Sequence, residues 1–203
     1  MKIFCIGRNY VEHIQELNNE TPENMVLFMK PNTALNSNKE LWYKPDFSDD
    51  IHYECELVLK ISKNGKFIQP QFASNYFEEI TVGIDFTARD IQSKLKEKGL
   101  PWEISKSFDN SAIIGHFIDK KSCQNLENIH FKLTRNDIPV QIGKSEHMIH
   151  SFEKIICYIS QYFTLQKGDL IFTGTPAGVS KVSKGEKYQG FIEDKALFFF
   201  EVK

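Results

Sequence analysis

The chain has 203 residues, of which 41% are hydrophobic and 17 are phenylalanine, and its formal net charge is −2. That is ample for a sizeable core in one domain spanning 1–203, and the nearly cancelled charge, with no run of lysines or arginines, gives no bulk attraction to nucleic acid or an anionic membrane. A small-molecule partner is expected instead.

The opening MKIFCIGRNY is too short an apolar run for a signal-peptide core, and no stretch approaches the roughly 20 apolar residues of a membrane span. Residues 3–6 (IFCI) predict a short strand ended by Gly7, and 11–17 (VEHIQEL) predict about two turns of helix that place His13 and Glu16 on one face, three positions apart. MVLFMK at 25–30 predicts a strand, followed by the polar loop PNTALNSN. HYECELVLK opens a strand over roughly 52–61, closed by the turn KNGK at 63–66. ITVGIDFTA at 80–88 reads as a strand with Asp85 near its end. It runs into a helix, RDIQSKLKEKG, for which Thr87 and Asp90 have the spacing of a capping box and Gly99 is the stop.

Further on, SAIIGHFI, HFKLTRN, IPVQIG, GDLIFTG, EKYQGFI and KALFFFEVK predict strands. Over 151–163 the spacing of Phe152, Ile155, Ile156 and Ile159 predicts a helix. Strands outnumber helices and do not alternate with them, which argues for an α+β fold around a large mixed or antiparallel sheet. Cys5, Cys55, Cys123 and Cys157 form no CxxC pair and are expected to be reduced thiols in a cytoplasmic protein.

Strand alternation aims Glu54 and Glu56 at one side, with Tyr53, Cys55, Leu57 and Leu59 on the other. At about 4 Å the two charges repel by about 4 kcal/mol at an effective dielectric of about 20, before desolvation is added. Either they face water on an amphipathic strand, or a hard cation with further oxygen ligands lies between them. Asp85 on its apolar strand is a third candidate ligand. Arg89, Gln92, Lys106 and the TGTPAG loop at 173–178 admit both surface and pocket readings.

Six stretches then fall in one order along nearly the whole chain: GRNYxxH at 7–13, LFMKP at 27–31, HYECEL at 52–57, DFTARDxQ at 85–92, GLPWxxSKSFD at 99–109 and GDLIFTGTPAGV at 168–179. In these the sequence resembles the fumarylacetoacetate hydrolase family, most closely its short single-domain acylpyruvase and oxaloacetate decarboxylase type. The resemblance implies a mixed β-sandwich roll with a few peripheral helices, usually a homodimer, with Mg²⁺ or Mn²⁺ held by Glu54, Glu56 and Asp85. It implies that Lys106 binds and polarises substrate, that Arg89, Gln92 and Thr175 line the pocket, and that His13 and Glu16 form a water-activating dyad on a lid helix that orders over ligand. Some larger members add an upstream aspartate to the metal shell, but GRNY holds no acid, so water is expected there. The expected activity is metal-dependent hydrolysis of a C–C bond in an acylpyruvate through a pyruvate enolate. Oxaloacetate decarboxylation, tautomerisation and hydroxymuconate-type isomerisation are alternatives in the same pocket, and a metal-dependent binding module without turnover is the non-enzyme alternative. The partner would be a small 2-oxo acid.

Overall fold

The computed structural model describes residues 1–17, 20, 22–36 and 40–203. Parts of the connection expected to order over ligand, residues 18, 19 and 21, and the end of the polar loop, 37–39, lie outside the described residues. Fifteen strands are described: β1 (Ile3–Gly7), β2 (Val26–Lys30), β3 (Leu41–Trp42), β4 (Ile51–Tyr53), β5 (Cys55–Ile61), β6 (Phe77–Asp85), β7 (Thr87–Ala88), β8 (Ala112–Ile114), β9 (Ile118–Asp119), β10 (His130–Arg135), β11 (Ile138–Lys144), β12 (Leu170–Phe172), β13 (Ser180–Lys181), β14 (Lys187–Ile192) and β15 (Lys195–Val202). The α-helices are α1 (Val11–Glu16), α2 (Pro70–Ala73), α3 (Arg89–Glu97), α4 (Glu103–Lys106) and α5 (Phe152–Tyr162).

A seven-stranded mixed sheet runs β2-β1-β12-β5-β6-β8, with β9 also on β6. It curls far enough for Leu35, just beyond β2, to bridge Ala112 of β8 at the opposite edge. A five-stranded sheet, β11-β10-β14-β15-β3, faces it, and β13-β4-β7 form a small third sheet. The large sheet's two faces carry different cores. Leu57, Leu59 and Val82 share one apolar cluster with Phe131, Leu133, Tyr188 and Phe200 of the facing sheet, while Val58, Cys5, Leu170 and Phe172 make a second cluster on the other face. This is an α+β sandwich roll, and α5 covers it with Phe152, Ile155, Ile156 and Ile159, the spacing read from the sequence.

Two local expectations fail. The stretch 52–61 is two strands, because the chain leaves the small sheet at Tyr53 and joins the large one at Cys55, with Glu54 at the junction. The capping box is absent: Thr87 lies in β7 opposite His52, and α3 starts after Ala88 with no side-chain cap. Asp90 instead accepts from Ser48 Oγ (2.6 Å) and Ile91 N (2.8 Å). Pairing of Thr87 with a neighbouring strand outweighs a local cap. Gly99 does stop the segment, with φ +62° and its N–H on Lys96 O. The four cysteines are free thiols, and no helix among the described residues is long and apolar enough to cross a membrane.

Candidate active site

Glu54 lies at the β4–β5 junction, Glu56 is the second residue of β5, and Asp85 ends β6. The β5–β6 register sets Cys55 opposite Ile84, and Asp85 N donates to Glu54 O (2.8 Å), so the third acid is brought beside the first two. Gly83, opposite Glu56, makes room for this packing, since a Cβ there would stand 2.5 Å from Ile113 O. One oxygen from each carboxylate lies within 4.8 Å of the others, and all three side chains are buried. The glutamate pair therefore does not face water, and Tyr53, Cys55, Leu57 and Leu59 pack on the opposite side.

Two buried lysines and the part-buried Arg89 meet Glu54 and Asp85. Lys106 Nζ lies 2.7 Å from both Glu54 Oε2 and Asp85 Oδ2, Arg89 pairs with the other Glu54 oxygen, and Lys30 Nζ lies 2.8 Å from Asp85 Oδ1. Burial alone would raise the Glu54 carboxyl, but Lys106 and then Arg89 outweigh it and hold it well below the usual carboxylate range. Burial likewise works against a charged Lys106, and Asp85 and Glu54 overcome it. Glu56 goes the other way. Burial, then repulsion from Asp85 and Glu54, pushes its carboxyl well up, and only the Gly174 N–H (2.7 Å) and more distant lysine charge favour its anion.

These features fit a hard divalent cation. Glu56 has no ion pair among the described residues, and Asp85 Oδ1 is a buried oxygen without a well-directed hydrogen bond. Three convergent carboxylates suit Mg²⁺ or Mn²⁺ and not a soft metal. The acids, Lys106, Arg89, Gln92, Thr175 and His13 line one cavity of about 40 Å³, walled on its apolar side by Phe28 and Trp102.

His13 and Glu16 come together as the helical spacing requires, with Nδ1 3.3 Å from Glu16 Oε2. Glu16 is anchored in turn by the Gly178 N–H (2.9 Å) of the TGTPAG loop. A carboxylate only accepts, so the ring's Nδ1 carries the proton and Nε2 is its basic nitrogen. Burial lowers the His13 pKa against the opposing pull of Glu54 and Glu16. Arg89 donates to Gln92 Oε1 (2.7 Å), joining two more of the expected pocket residues. Thr175 lines the cavity, but its hydroxyl proton goes to Cys55 O (2.8 Å).

Sequence reasoning passed over two residues. Lys30, in the quoted LFMKP stretch, is 1% exposed; its ammonium reaches Ser111 Oγ (3.0 Å) and the Lys106 carbonyl as well as Asp85. A lysine closing an apolar strand was the available signal. Gln141 is 2% exposed beneath the glutamate strand, and the alternation of Ile138, Val140 and Ile142 pointed it the wrong way, since Ile138 and Ile142 are each 67% exposed.

The chain is similar to known proteins along nearly its whole length. The mitochondrial oxaloacetate tautomerase of Bos taurus is 35% identical over 201 residues, covering 99% of this chain and 91% of that protein. The mitochondrial oxaloacetate decarboxylase of Dictyostelium discoideum is 39% identical over 186 residues, covering 91% and 85%. Among solved structures, fumarylpyruvate hydrolase from Pseudomonas aeruginosa in complex with Mn²⁺ and pyruvate superposes with a TM-score of 0.93 at 33% identity, covering 100% of this chain and 89% of that one. The family model for the fumarylacetoacetate (FAA) hydrolase C-terminal domain matches residues 2–202, and the chain belongs to that family of enzymes.

Proposed function

We propose that the protein is a divalent-metal-dependent enzyme that converts a small 2-oxo acid through its enolate, with oxaloacetate as the substrate the site suits best. The observation that carries this reading is the buried Glu54–Glu56–Asp85 trio sharing one small cavity with Lys106 and a Glu16-oriented His13. Mg²⁺ or Mn²⁺ held by the three carboxylates would supply a Lewis acid for the keto oxygen.

The chain's own residues do the rest. Lys106 brings an ammonium into the chamber where negative charge develops, which favours the enolate over the ketone. Arg89 and Gln92, already joined, offer a guanidinium and an amide to orient a substrate carboxylate. His13, kept neutral by burial, takes a proton at Nε2 from the carbon beside the keto group; a proton delivered to the enolate oxygen then gives the enol, and the reverse transfers restore the ketone, which is tautomerisation. Phe28 and Trp102 keep bulk water from that wall of the cavity. The oxaloacetate relatives support a four-carbon acid.

A second reading, hydrolysis of an acylpyruvate with His13 drawing the proton from water, is favoured by the dyad itself and by the fumarylpyruvate hydrolase likeness. Assaying oxaloacetate, acetylpyruvate and a hydroxymuconate-type acid with each metal decides between them. Faster enol–keto exchange of oxaloacetate is expected, and a folded, metal-loaded protein silent on all three would end the proposal. Homodimeric assembly and a cytoplasmic location belong to the same proposal, to be tested by light scattering and cell fractionation.

A further inference from the structure

Cys55 stands between the two glutamates, and the peptides on either side of it are held in an unusual way. β12, the neighbour on that side of β5, stops at Phe172 opposite Val58, so no strand reaches Cys55 there. Side chains take its place. Cys55 N donates to Gln141 Oε1 (2.9 Å), Gln141 Nε2 donates to Thr175 Oγ1 (2.9 Å) and Pro176 O (3.0 Å), and Thr175 Oγ1 donates to Cys55 O (2.8 Å). The ring is closed, every member is buried, and each donor and acceptor is used in the sense its chemistry allows.

Two glycines let this ring form. A Cβ on Gly178 would stand 2.4 Å from Val140 O, and one on Gly143 would stand 3.0 Å from Pro176 Cγ and closer still to the Phe131 ring. Their absence allows the 173–178 loop to lie against β11, within reach of the Gln141 amide. The same loop gives its Gly174 N–H to Glu56 and its Gly178 N–H to Glu16.

We infer that Gln141, reaching across from the facing sheet, is a positioning residue that fixes the direction of Glu54 and Glu56 for a divalent cation, with Thr175 as its partner in the ring. Gln141 holds the peptide that joins Glu54 to Cys55 and Thr175 the peptide that joins Cys55 to Glu56, and rotation of either would swing the two carboxylates apart. The inference rests on the metal-dependent reading of the site.

Mn²⁺ alone is the probe, with binding read by calorimetry and the metal-free fold by melting in EDTA. Gln141→Met and Thr175→Val should each weaken Mn²⁺ binding by about 10- to 100-fold, the usual consequence of removing a group that orients a ligand. Thr175→Ser, which keeps the hydroxyl, should stay within about threefold of the parent. Because the two are joined in one hydrogen-bonded ring, the double variant should lose about as much as the worse single one and not the sum. Mn²⁺ affinity within about twofold of the parent in both Gln141→Met and Thr175→Val, alongside a lower melting temperature, would reduce the ring to a buttress of the fold and overturn the inference. Should Gln141→Met fail to fold, the contrast between Thr175→Val and Thr175→Ser decides, equal affinities overturning it. A parent protein that takes up no Mn²⁺ would remove the metal reading as well, so the two failures are distinguishable.

Discussion

Glu54 and Glu56 are chemically the same and two residues apart, yet their replacement by glutamine should have unequal effects on the metal-free fold. Glu54 binds two cations, Lys106 and Arg89, with its side chain 6% exposed. Glu54→Gln strands both charges in the interior, and breaking a buried pair in this way costs about 3–5 kcal/mol. Glu56 has no such pair, its carboxyl is pushed well up by burial and its neighbours, and the Gly174 N–H it accepts can be kept by an amide oxygen. Glu56→Gln keeps the volume and removes a group whose charged form burial and its neighbours disfavour, so about 1 kcal/mol or less is expected. With a urea dependence of about 3 kcal/mol per M, the first change lowers the unfolding midpoint by about 1 M or more and the second by about 0.3 M or less. Urea unfolding in EDTA at pH 7 measures both, and calorimetry with Mn²⁺ should show that both variants lose binding, since each removes a charge the ion requires. Equal midpoint losses for the two variants would contradict this difference, because they would mean that Glu56 is as strongly paired without metal as Glu54.

Saturating Mn²⁺ at about 100 times its Kd should stabilise the parent by about 2.7 kcal/mol, read as a rise in melting temperature that Glu54→Gln abolishes. Because the Glu56 pKa is raised in the fold, its contribution to metal-free stability is present at low pH and is lost as pH rises through that pKa. Mn²⁺ uptake at neutral pH should accordingly release a proton, seen as a binding enthalpy that varies with the buffer's ionisation enthalpy. His13→Ala should lower kcat on acetylpyruvate by about 10² to 10⁴-fold while sparing decarboxylation of oxaloacetate, whereas Lys106→Met should depress both. As burial lowers the His13 pKa, the acid limb of the parent's pH–rate profile should fall below the ordinary histidine range of about 6.5. Amide exchange over 11–17 should slow when oxalate and Mg²⁺ are added, because α1 has only six residues and is too short to be stable alone; unchanged exchange removes the lid.

The parts of the site that lie on single elements were legible in the sequence. Period two in HYECEL turned Glu54 and Glu56 to one side, and three-residue spacing joined His13 to Glu16. What long-range closure decides was not legible. Lys30 reaches Asp85 only because the large sheet curls until the region beyond β2 meets β8, a contact no local pattern encodes. Gln141 is hidden by an alternation in which Ile138 and Ile142 face outward, so the usual inference from hydrophobicity to burial reverses at those two residues. The mistaken cap at Thr87 has the same origin, since pairing with β4 fixes that residue before α3 begins.

If these three carboxylates hold a divalent cation for enolate chemistry on a 2-oxo acid, the enol–keto exchange of oxaloacetate, followed by ultraviolet absorbance, shows it most directly. Protein stripped with EDTA should leave the spontaneous rate unchanged. Restored Mg²⁺ or Mn²⁺ should accelerate the exchange in the parent protein but not in Glu54→Gln or Glu56→Gln. Full acceleration by the stripped protein, or by either variant, would contradict the account.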